Sequence, residues 1–495
     1  MERTLQDVIS HIKGCTVTGD PKNKIITDLT IDSRTAGKGS LFICLVGVHT
    51  DGHAYIEKAA SLGAEAVLVE KDVPPVPGLV MIRVKSTQET MTELAPWFYD
   101  YPAQKMRMIG ITGTKGKTSI AYLLESILTC AGRKVGVLGT VNYRMDGKVL
   151  CAAPNTTPAA IPLFNLLAQM KEDGCQNVVM EVSSHALDQQ RVKHIWYDTA
   201  VFTNLQRDHL DYHHTFENYF LAKQKLFENL ADPANPKPNR TAIINADDPY
   251  GKRLINLLKG RVNVITFGLE KEADLKATDI CESLEGTSFY VNGSPLQIRL
   301  LGRHNVYNAL AAYAAARANG IDEKTIRQGL AALPGVPGRM ERIDEGQDFF
   351  AFVDFAYTDE SLNRALDTVA PFKKGRTVVV FGCGGQRDRT KRPLMGHTAC
   401  TRADYVFLTN DNPRCEEPKK IFNDILQGMK GAGNYELVPD RAEAIRRALS
   451  SAQKNDIVII AGKGHEDYQI IGTKKNHFSD QETVRAFLHG RKRNV

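Results

Sequence analysis

Nine consecutive residues read Gly110-Ile111-Thr112-Gly113-Thr114-Lys115-Gly116-Lys117-Thr118. A glycine-rich turn ending in Gly-Lys-Thr leaves backbone N–H groups free to cradle phosphate oxygens, sets an ammonium against their charge and offers a hydroxyl to magnesium. The strict phosphate-loop spacing would put glycine at 111, where isoleucine stands. Further along, Glu181 closes an apolar run and is followed by Ser183-Ser184-His185, while residues 204–213 read Asn-Leu-Gln-Arg-Asp-His-Leu-Asp-Tyr-His. That density of acid and imidazole exceeds what a loop needs for solubility and points to a functional cluster. In the last third of the chain, Asp354 and the polar segments 382–388, 411–414 and 462–466 each follow an apolar run. Ligands of open parallel sheets bind beyond the carboxyl ends of strands, where these segments fall.

Positioning such groups needs strands that end together. The apolar run 106–112 opens into the glycine turn and then into helix-forming sequence at 120–131, the strand, loop, helix order of a nucleotide-binding unit. Runs at 177–182, 199–203 and 241–245 alternate with helical patterns, as in a mostly parallel sheet covered on both faces. Before this unit, short apolar runs at 40–46 and 66–69 and the prolines at 74–77, Pro96 and Pro102 describe a smaller α/β domain. After it, two prolines and two glycines at 333–338 form a linker, and runs at 350–354, 377–382, 405–409 and 456–461 predict a doubly wound sheet. The expected fold class is α/β with three domains. These are a small N-terminal α/β domain over 1–105, a central P-loop domain with a mostly parallel sheet over 106–335, and a C-terminal Rossmann-like domain over 336–495.

Composition narrows the function. A chain of 495 residues suits about three domains. At 42% hydrophobic and 24% charged it reads as globular, and no stretch approaches the roughly 18 apolar residues of a membrane span. The N-terminus lacks the apolar run of a signal peptide. Nine cysteines without a Cys-x-x-Cys pair argue against a disulfide framework or zinc knuckle and favour the reducing cytoplasm. The net charge of +6 is spread along the chain, with one short basic cluster at Arg491-Lys492-Arg493, so no nucleic-acid partner is expected.

With these segments on the page, the sequence resembles the Mur ligases, and within them the tripeptide synthetases of peptidoglycan precursor synthesis. The resemblance rests on Asp32-Ser33-Arg34, 112–118, Asn155-Thr156-Thr157-Pro158, 181–191, 203–213, Ala222-Lys223, 245–248, 304–308, Gly338-Arg339-Met340-Glu341, 411–414 and 461–466, in order along nearly the whole chain. It implies an ATP- and magnesium-dependent amide ligase working through an acyl phosphate, expected as a monomer. ATP would lie on Gly113, Thr114, Lys115, Gly116, Lys117, Thr118, Asn305, Arg339 and Asp354. Magnesium would be held by Thr118, Glu181, His209 and Lys223, the last as a carbamate, and the catalytic set would be Lys117, Glu181, His209, Lys223 and Arg339. From its own surroundings, Lys223 reads as an ordinary helix lysine.

The implied acid substrate is UDP-N-acetylmuramoyl-L-alanyl-D-glutamate, with Ser33 near the uridine end and Asn155, Thr156, Thr157, Ser184, Gln189 and Arg191 near the muramyl dipeptide. The implied amine is a diamino acid on Arg387, Asp411, Asn412, Arg414, Gly462 and Glu466. Arg414 offers a bidentate fork to the distal carboxylate that distinguishes meso-diaminopimelate from lysine. Against the family pattern, the chain carries Lys115 in the phosphate loop, Phe355, Tyr357 and Asp359 after Asp354, and Gln386 before Arg387. Alternatives are the lysine-adding member of the family, a paralogue acting on a related dipeptide, a folate polyglutamate synthetase and a non-catalytic nucleotide-binding protein.

Overall fold

Strands that are apolar along most of their length, not at every second position, must be buried on both faces, and inner strands such as Asn177–Glu181, Thr377–Phe381 and Ile457–Ala461 are of this kind. The computed structural model describes residues 1–47 and 50–492. Arg493 of the terminal basic cluster lies outside the described residues. The chain forms two compact units, residues 1–276 with 310–329, and residues 277–309 with 330–495.

In the first unit, a five-stranded N-terminal sheet runs in the order Thr16–Thr18, Val80–Arg83, Ala66–Val69, Ser40–Ile43, Asp28–Thr30. Only Thr16–Thr18 is antiparallel to its neighbour. The central sheet of this unit contains the parallel strands Val135–Leu138, Asn177–Glu181, Arg107–Thr112, Thr199–Phe202, Thr241–Asn245 and Asn263–Gly268, in that spatial order. The hairpin Asn142–Met145 and Lys148–Ala152 extends one edge. Arg107–Thr112 lies between Asn177–Glu181 and Thr199–Phe202, with Ile111 opposite Glu181 and Thr112 opposite Phe202. That register brings the glycine turn, Glu181 and the segment after Phe202 to one sheet edge. Helix Lys117–Cys130 buries Ile120, Leu123, Leu124, Ile127 and Leu128, an i, i+3, i+4 stripe that holds its N-terminus at that edge.

The second unit has a six-stranded sheet in the order Glu341–Ile343, Phe350–Asp354, Ile457–Ala461, Thr377–Phe381, Tyr405–Leu408, Tyr435–Leu437, parallel except for Glu341–Ile343. Separate apolar clusters cover its two faces, one around Phe352, Val379, Phe381, Met395 and Ile459, the other around Val353, Val378, Val380, Ile445 and Ile460. An antiparallel ribbon of Gly286–Val291 and Ser294–Ile298 also belongs to this unit. Residues 333–338 form neither helix nor strand, as the proline and glycine content predicts. Among the described residues no helix is long and apolar enough to cross a membrane.

One buried ion pair fastens the helices of this unit to a strand end. Arg441 and Asp480 are both fully buried, joined Nε to Oδ1 at 2.8 Å and Nη2 to Oδ2 at 2.7 Å, and Arg441 also donates to the Ala461 carbonyl. Removing one partner leaves the other charge uncompensated in a dry site. Asp480→Ala should therefore lower the unfolding free energy by about 3–5 kcal/mol, read from the shift of a guanidinium chloride midpoint.

Candidate functional site

The glycine turn has the geometry of a phosphate cradle. Gly113 and Gly116 have φ of +141° and +91°, and a Cβ on Gly113 would overlap the Thr203 hydroxyl. The turn is tied to the next strand end. Thr114 N–H donates to Asn204 O at 2.9 Å, Lys115 N–H to Asn204 Oδ1 at 3.1 Å, and Thr203 Oγ1 to Lys115 O at 2.6 Å. Thr114 Oγ1 also accepts the Gln206 N–H at 2.9 Å. Helix Lys117–Cys130 starts directly behind, so its unpaired N–H groups and positive dipole end face the cradle. Lys117 Nζ folds back to donate to the carbonyls of Gly113 at 2.9 Å and Thr114 at 3.1 Å, while the exposed Lys115 ammonium lies 3.7 Å from Asp208.

Glu181 is buried where this cradle meets the neighbouring strand. Its Oε2 accepts from Thr118 Oγ1 at 3.0 Å and Thr140 Oγ1 at 2.8 Å, and its Oε1 from Thr140 N–H at 2.9 Å. Gly139 makes room for it, since a Cβ there would overlap Oε1. Thr140 drew no attention in the sequence; its only signal is its place directly after Val135–Leu138, beyond a strand end. Its N–H and hydroxyl fix both oxygens of the carboxylate. Thr140→Val, which keeps the shape and the N–H but loses the hydroxyl, should cut turnover by about 10–100-fold and raise the magnesium concentration for half-maximal rate.

Lys223, on helix Phe216–Leu230, is buried, and its Nζ donates to Gly113 O at 2.9 Å and sits 4.5 Å from the Tyr219 ring centre. No carboxylate pairs with it among the described residues. Burial, reinforced by the Lys117 charge, holds its pKa well below the usual lysine range. Gly113 O thus accepts from the Nζ of both lysines. His209 has φ +53°, is half exposed, and places its ring 4.9 Å from that of His185 and 6.0 Å from that of Tyr219. Burial lowers its pKa.

Among the described residues no three His, Cys, Asp or Glu side chains form a ready metal cage. Magnesium does not ask for one, since it takes one or two carboxylates and completes its shell with water and substrate phosphates. The hard oxygens of Thr118 and Glu181 beside a phosphate cradle fit that ion.

Of the residues expected to hold the acid substrate, Thr156 reaches the Glu181 carboxylate through Thr140 and Thr157 bonds the Glu181 backbone. Thr156 Oγ1 is 3.1 Å from Thr140 Oγ1, and Thr157 Oγ1 donates to Glu181 O at 2.8 Å. Arg191 donates to Thr157 O at 3.1 Å and to Gln189 Oε1 at 2.6 Å, and Gln189 Nε2 donates to Tyr212 OH at 3.3 Å. Asn155 O accepts from Tyr143 OH at 2.6 Å, and Ser184 Oγ is 2.9 Å from His213 Nε2. Tyr143 is thus a part of the network that the sequence did not single out, while Tyr212 and His213 belong to the 204–213 cluster without a role of their own assigned there. Ser33 is buried after strand Asp28–Thr30 in the N-terminal sheet, outside this network.

The second unit gathers its own polar ends. Gly338, with φ +65°, packs so closely on the backbone of Gly464 and His465 that no Cβ fits. Arg339 follows, its guanidinium 5.2 Å from the centre of the Phe355 ring, and Asp354 Oδ2 accepts the Met340 N–H at 2.7 Å. Burial pushes Asp354 up to about 6, and burial together with Arg339 pushes His465 down to about 4. Tyr357 is about half exposed, and Lys391 donates to its carbonyl at 2.8 Å. Asn305 is buried on helix Arg303–Ala318, its carboxamide held by Leu301 O and Asn308.

Asp411, Asn412, Gly462 and Glu466 lie together. Asn412 Nδ2 donates to Glu466 Oε2 at 2.9 Å, and the Gly462 Cα, at φ +117°, faces Asp411 Oδ2. Among them is Lys463, fully buried and unmarked in the sequence reading because it is one residue of a Gly-Lys-Gly turn. Arg414, at φ +53°, donates from Nη1 to Gly385 O at 2.9 Å. Arg387 is exposed, while Gln386 N–H is tied to Glu416 Oε2 at 2.8 Å.

The phosphate cradle and a second polar network thus meet at the Glu181 carboxylate, the arrangement of a nucleotide site with an adjoining polar site. Comparison with known proteins makes the class definite. Residues 111–316 match the Mur ligase middle domain, 338–464 the Mur ligase glutamate ligase domain, and 25–99 the Mur ligase family catalytic domain. The chain is similar to the UDP-N-acetylmuramoyl-L-alanyl-D-glutamate--2,6-diaminopimelate ligase of Oceanobacillus iheyensis, 44% identical over 477 residues, 95% of this chain and 96% of that protein. The Bacillus cereus ligase of the same name is 41% identical over 481 residues, covering 96% of each. A solved structure of a ligase of that name superposes with a TM-score of 0.68 at 32% identity, covering 99% of this chain and 100% of that one. A folylpolyglutamate synthase of Mycobacterium tuberculosis, at 18% identity and TM-score 0.59, shares the fold over 75% of this chain. The chain belongs to the Mur ligase family, and it is a ligase that forms an amide bond with ATP.

Proposed function

We propose that the protein joins meso-diaminopimelate to the D-glutamate carboxylate of UDP-N-acetylmuramoyl-L-alanyl-D-glutamate in peptidoglycan precursor synthesis. One observation carries the reading. The Glu181 carboxylate is bonded by phosphate-loop Thr118 on one side and by Thr140, which reaches Thr156, on the other, so the nucleotide and acid-substrate sites meet at one group. The relatives named above supply the substrates, and the Arg414 fork supports a dicarboxylic diamino acid over lysine.

The substrate carboxylate oxygen attacks the γ-phosphorus and ADP departs, leaving an acyl phosphate. The amine nitrogen then attacks the acyl carbon, phosphate leaves with the bonding electrons, and the nitrogen loses a proton. Lys117 turns from the Gly113 and Thr114 carbonyls to the γ-phosphoryl oxygens as charge grows on them, and the loop N–H groups hold the β-phosphate. Thr118, Glu181, His209 and carbamylated Lys223 would hold magnesium, which when bound neutralises phosphate oxygens. Asn305, Arg339 and Asp354 are assigned to the nucleotide. Thr156, Thr157, Ser184, Gln189 and Arg191 orient the muramyl dipeptide, and Ser33 the uridine end. Residues 1–105, 106–335 and 336–495 are assigned to the nucleotide-sugar, ATP and amino-acid substrates respectively, in step with the three matched family segments. A monomer in a reducing cytoplasm suits nine cysteines that are all free thiols.

The test supplies ATP, magnesium and the nucleotide-linked dipeptide, then offers meso-diaminopimelate, lysine or ornithine separately. Phosphate release and the product mass should appear mainly with the first. A protein that forms no ADP with any of the three would overturn the reading.

A further inference from the structure

Lys463 has no solvent exposure, and its Nζ lies 3.2 Å from Asn412 Oδ1, 3.2 Å from Glu466 Oε2 and 3.6 Å from Asp411 Oδ1. A buried ammonium is retained only where acids and acceptors surround it. Here the surrounding groups are those assigned to the incoming amine. Asn412 Oδ1 also accepts the Ile470 N–H at 2.9 Å, and Asn412 Nδ2 donates to the Glu466 oxygen that Lys463 touches, at 2.9 Å. Turning the carboxamide over would press its NH₂ against an ammonium and a backbone donor, so Lys463 decides which way Asn412 points. Glu466 is pinned at both oxygens, with Tyr468 OH donating to Oε1 at 3.4 Å. The backbone leaves no slack, since Gly462 and Gly464 flank Lys463 at φ +117° and +53°. Asp411 and Glu466 thus both face the Lys463 ammonium, with buried Arg441 paired to Asp480 behind them.

We propose that Lys463 is a positioning residue for the diamino acid: it sets the orientation of Asn412 and Glu466 so that they receive the substrate's ammonium group. The proposal rests on the reading above, in which 411–414 and 462–466 take the amine. It separates Lys463 from a residue that only stabilises the fold, because its effect must be confined to one substrate and must pass through Glu466.

The experiment uses the full chain and steady-state kinetics with each substrate varied in turn. Lys463→Met should raise KM for meso-diaminopimelate by about tenfold or more, a larger change than the fall in kcat, while KM for ATP and for the nucleotide-linked dipeptide stays within about twofold. The double variant Lys463→Met/Glu466→Gln should be no worse than Glu466→Gln alone, within about twofold in kcat/KM, since the lysine acts through the carboxylate. An unchanged KM for the amine, a parallel rise in all three KM values, or effects that multiply in the double variant would each overturn the proposal. Lys463→Gln, which keeps a donor, repeats the test should Lys463→Met fail to fold, and failure of both to fold would mark the lysine as structural and end the proposal. Wild-type protein that does not use diaminopimelate sinks the amine reading itself, whereas wild-type turnover with a flat variant KM sinks only the role of Lys463.

Discussion

Replacing Lys223 by alanine should lower kcat by about 10²–10³-fold, the loss seen when one group that stabilises transition-state charge is removed. The expectation comes from where the amine sits. An unperturbed lysine has a pKa of about 10.4 and is almost wholly protonated at neutral pH, so it does not react with carbon dioxide. Lys223 is buried, donates to the Gly113 carbonyl as its one hydrogen-bond acceptor among the described residues, and shares that carbonyl with Lys117. Both circumstances favour the neutral amine. A neutral amine adds carbon dioxide and loses a proton to become a carbamate, placing beside the phosphate loop an anion suited to magnesium. Degassed, bicarbonate-free wild-type enzyme should therefore lose activity and regain it with added bicarbonate, whereas Lys223→Ala should ignore both treatments. Labelling with ¹³C-bicarbonate should give a carbamate resonance that the variant lacks. Lys223→Ala with more than about a tenth of wild-type turnover would contradict the assignment.

That residue also marks where reading the sequence stops. The strands were legible because parallel sheets buried on both faces demand unbroken apolar runs, and the runs at 106–112, 177–182, 241–245 and 350–354 contain Arg107–Thr112, Asn177–Glu181, Thr241–Asn245 and Phe350–Asp354. The phosphate loop was legible because its glycines are required by backbone geometry, as at Gly113 and Gly116. The ribbon of Gly286–Val291 and Ser294–Ile298 went unread, because short strands that show only Ser288, Tyr290, Pro295 and Gln297 on the outer face are hard to tell from loop. Lys223 and Lys463 were opaque for a different reason. A lysine's chemistry depends on whether its helix or turn buries it, and neither neighbour sequence states that. Thr140 is the same case, a threonine whose role comes from a parallel neighbour, Asn177–Glu181, that lies some forty residues away. Family resemblance supplied Lys223; only the packed structure shows why its environment is unlike that of a surface lysine.

For amine choice the largest effect should come from Arg414→Ala, which is expected to lower kcat/KM for meso-diaminopimelate by about 10²–10³-fold while changing that for lysine by less than about tenfold. The turn holds this side chain firmly. Arg414 adopts φ +53°, its N–H donates to Ile470 O at 3.0 Å, and its carbonyl accepts the Gly472 N–H at 2.9 Å. Nη1 is spent on Gly385 O, and Gly384 is open enough for the guanidinium to pass, since a Cβ there would stand 3.1 Å from Nη1. A guanidinium fixed in this way presents its remaining N–H groups as a pre-set fork, so little side-chain entropy is lost when a planar carboxylate docks. Lysine has no distal carboxylate and would leave that fork unpaired, which costs the wrong substrate more than it rewards the right one. Removing the fork therefore erases discrimination from both directions. Arg414→Lys, which keeps the charge but not the planar pair of donors, should fall between wild type and Arg414→Ala in diaminopimelate use. A preference for diaminopimelate over lysine that survives Arg414→Ala would mean that the distal carboxylate is read elsewhere in the chain.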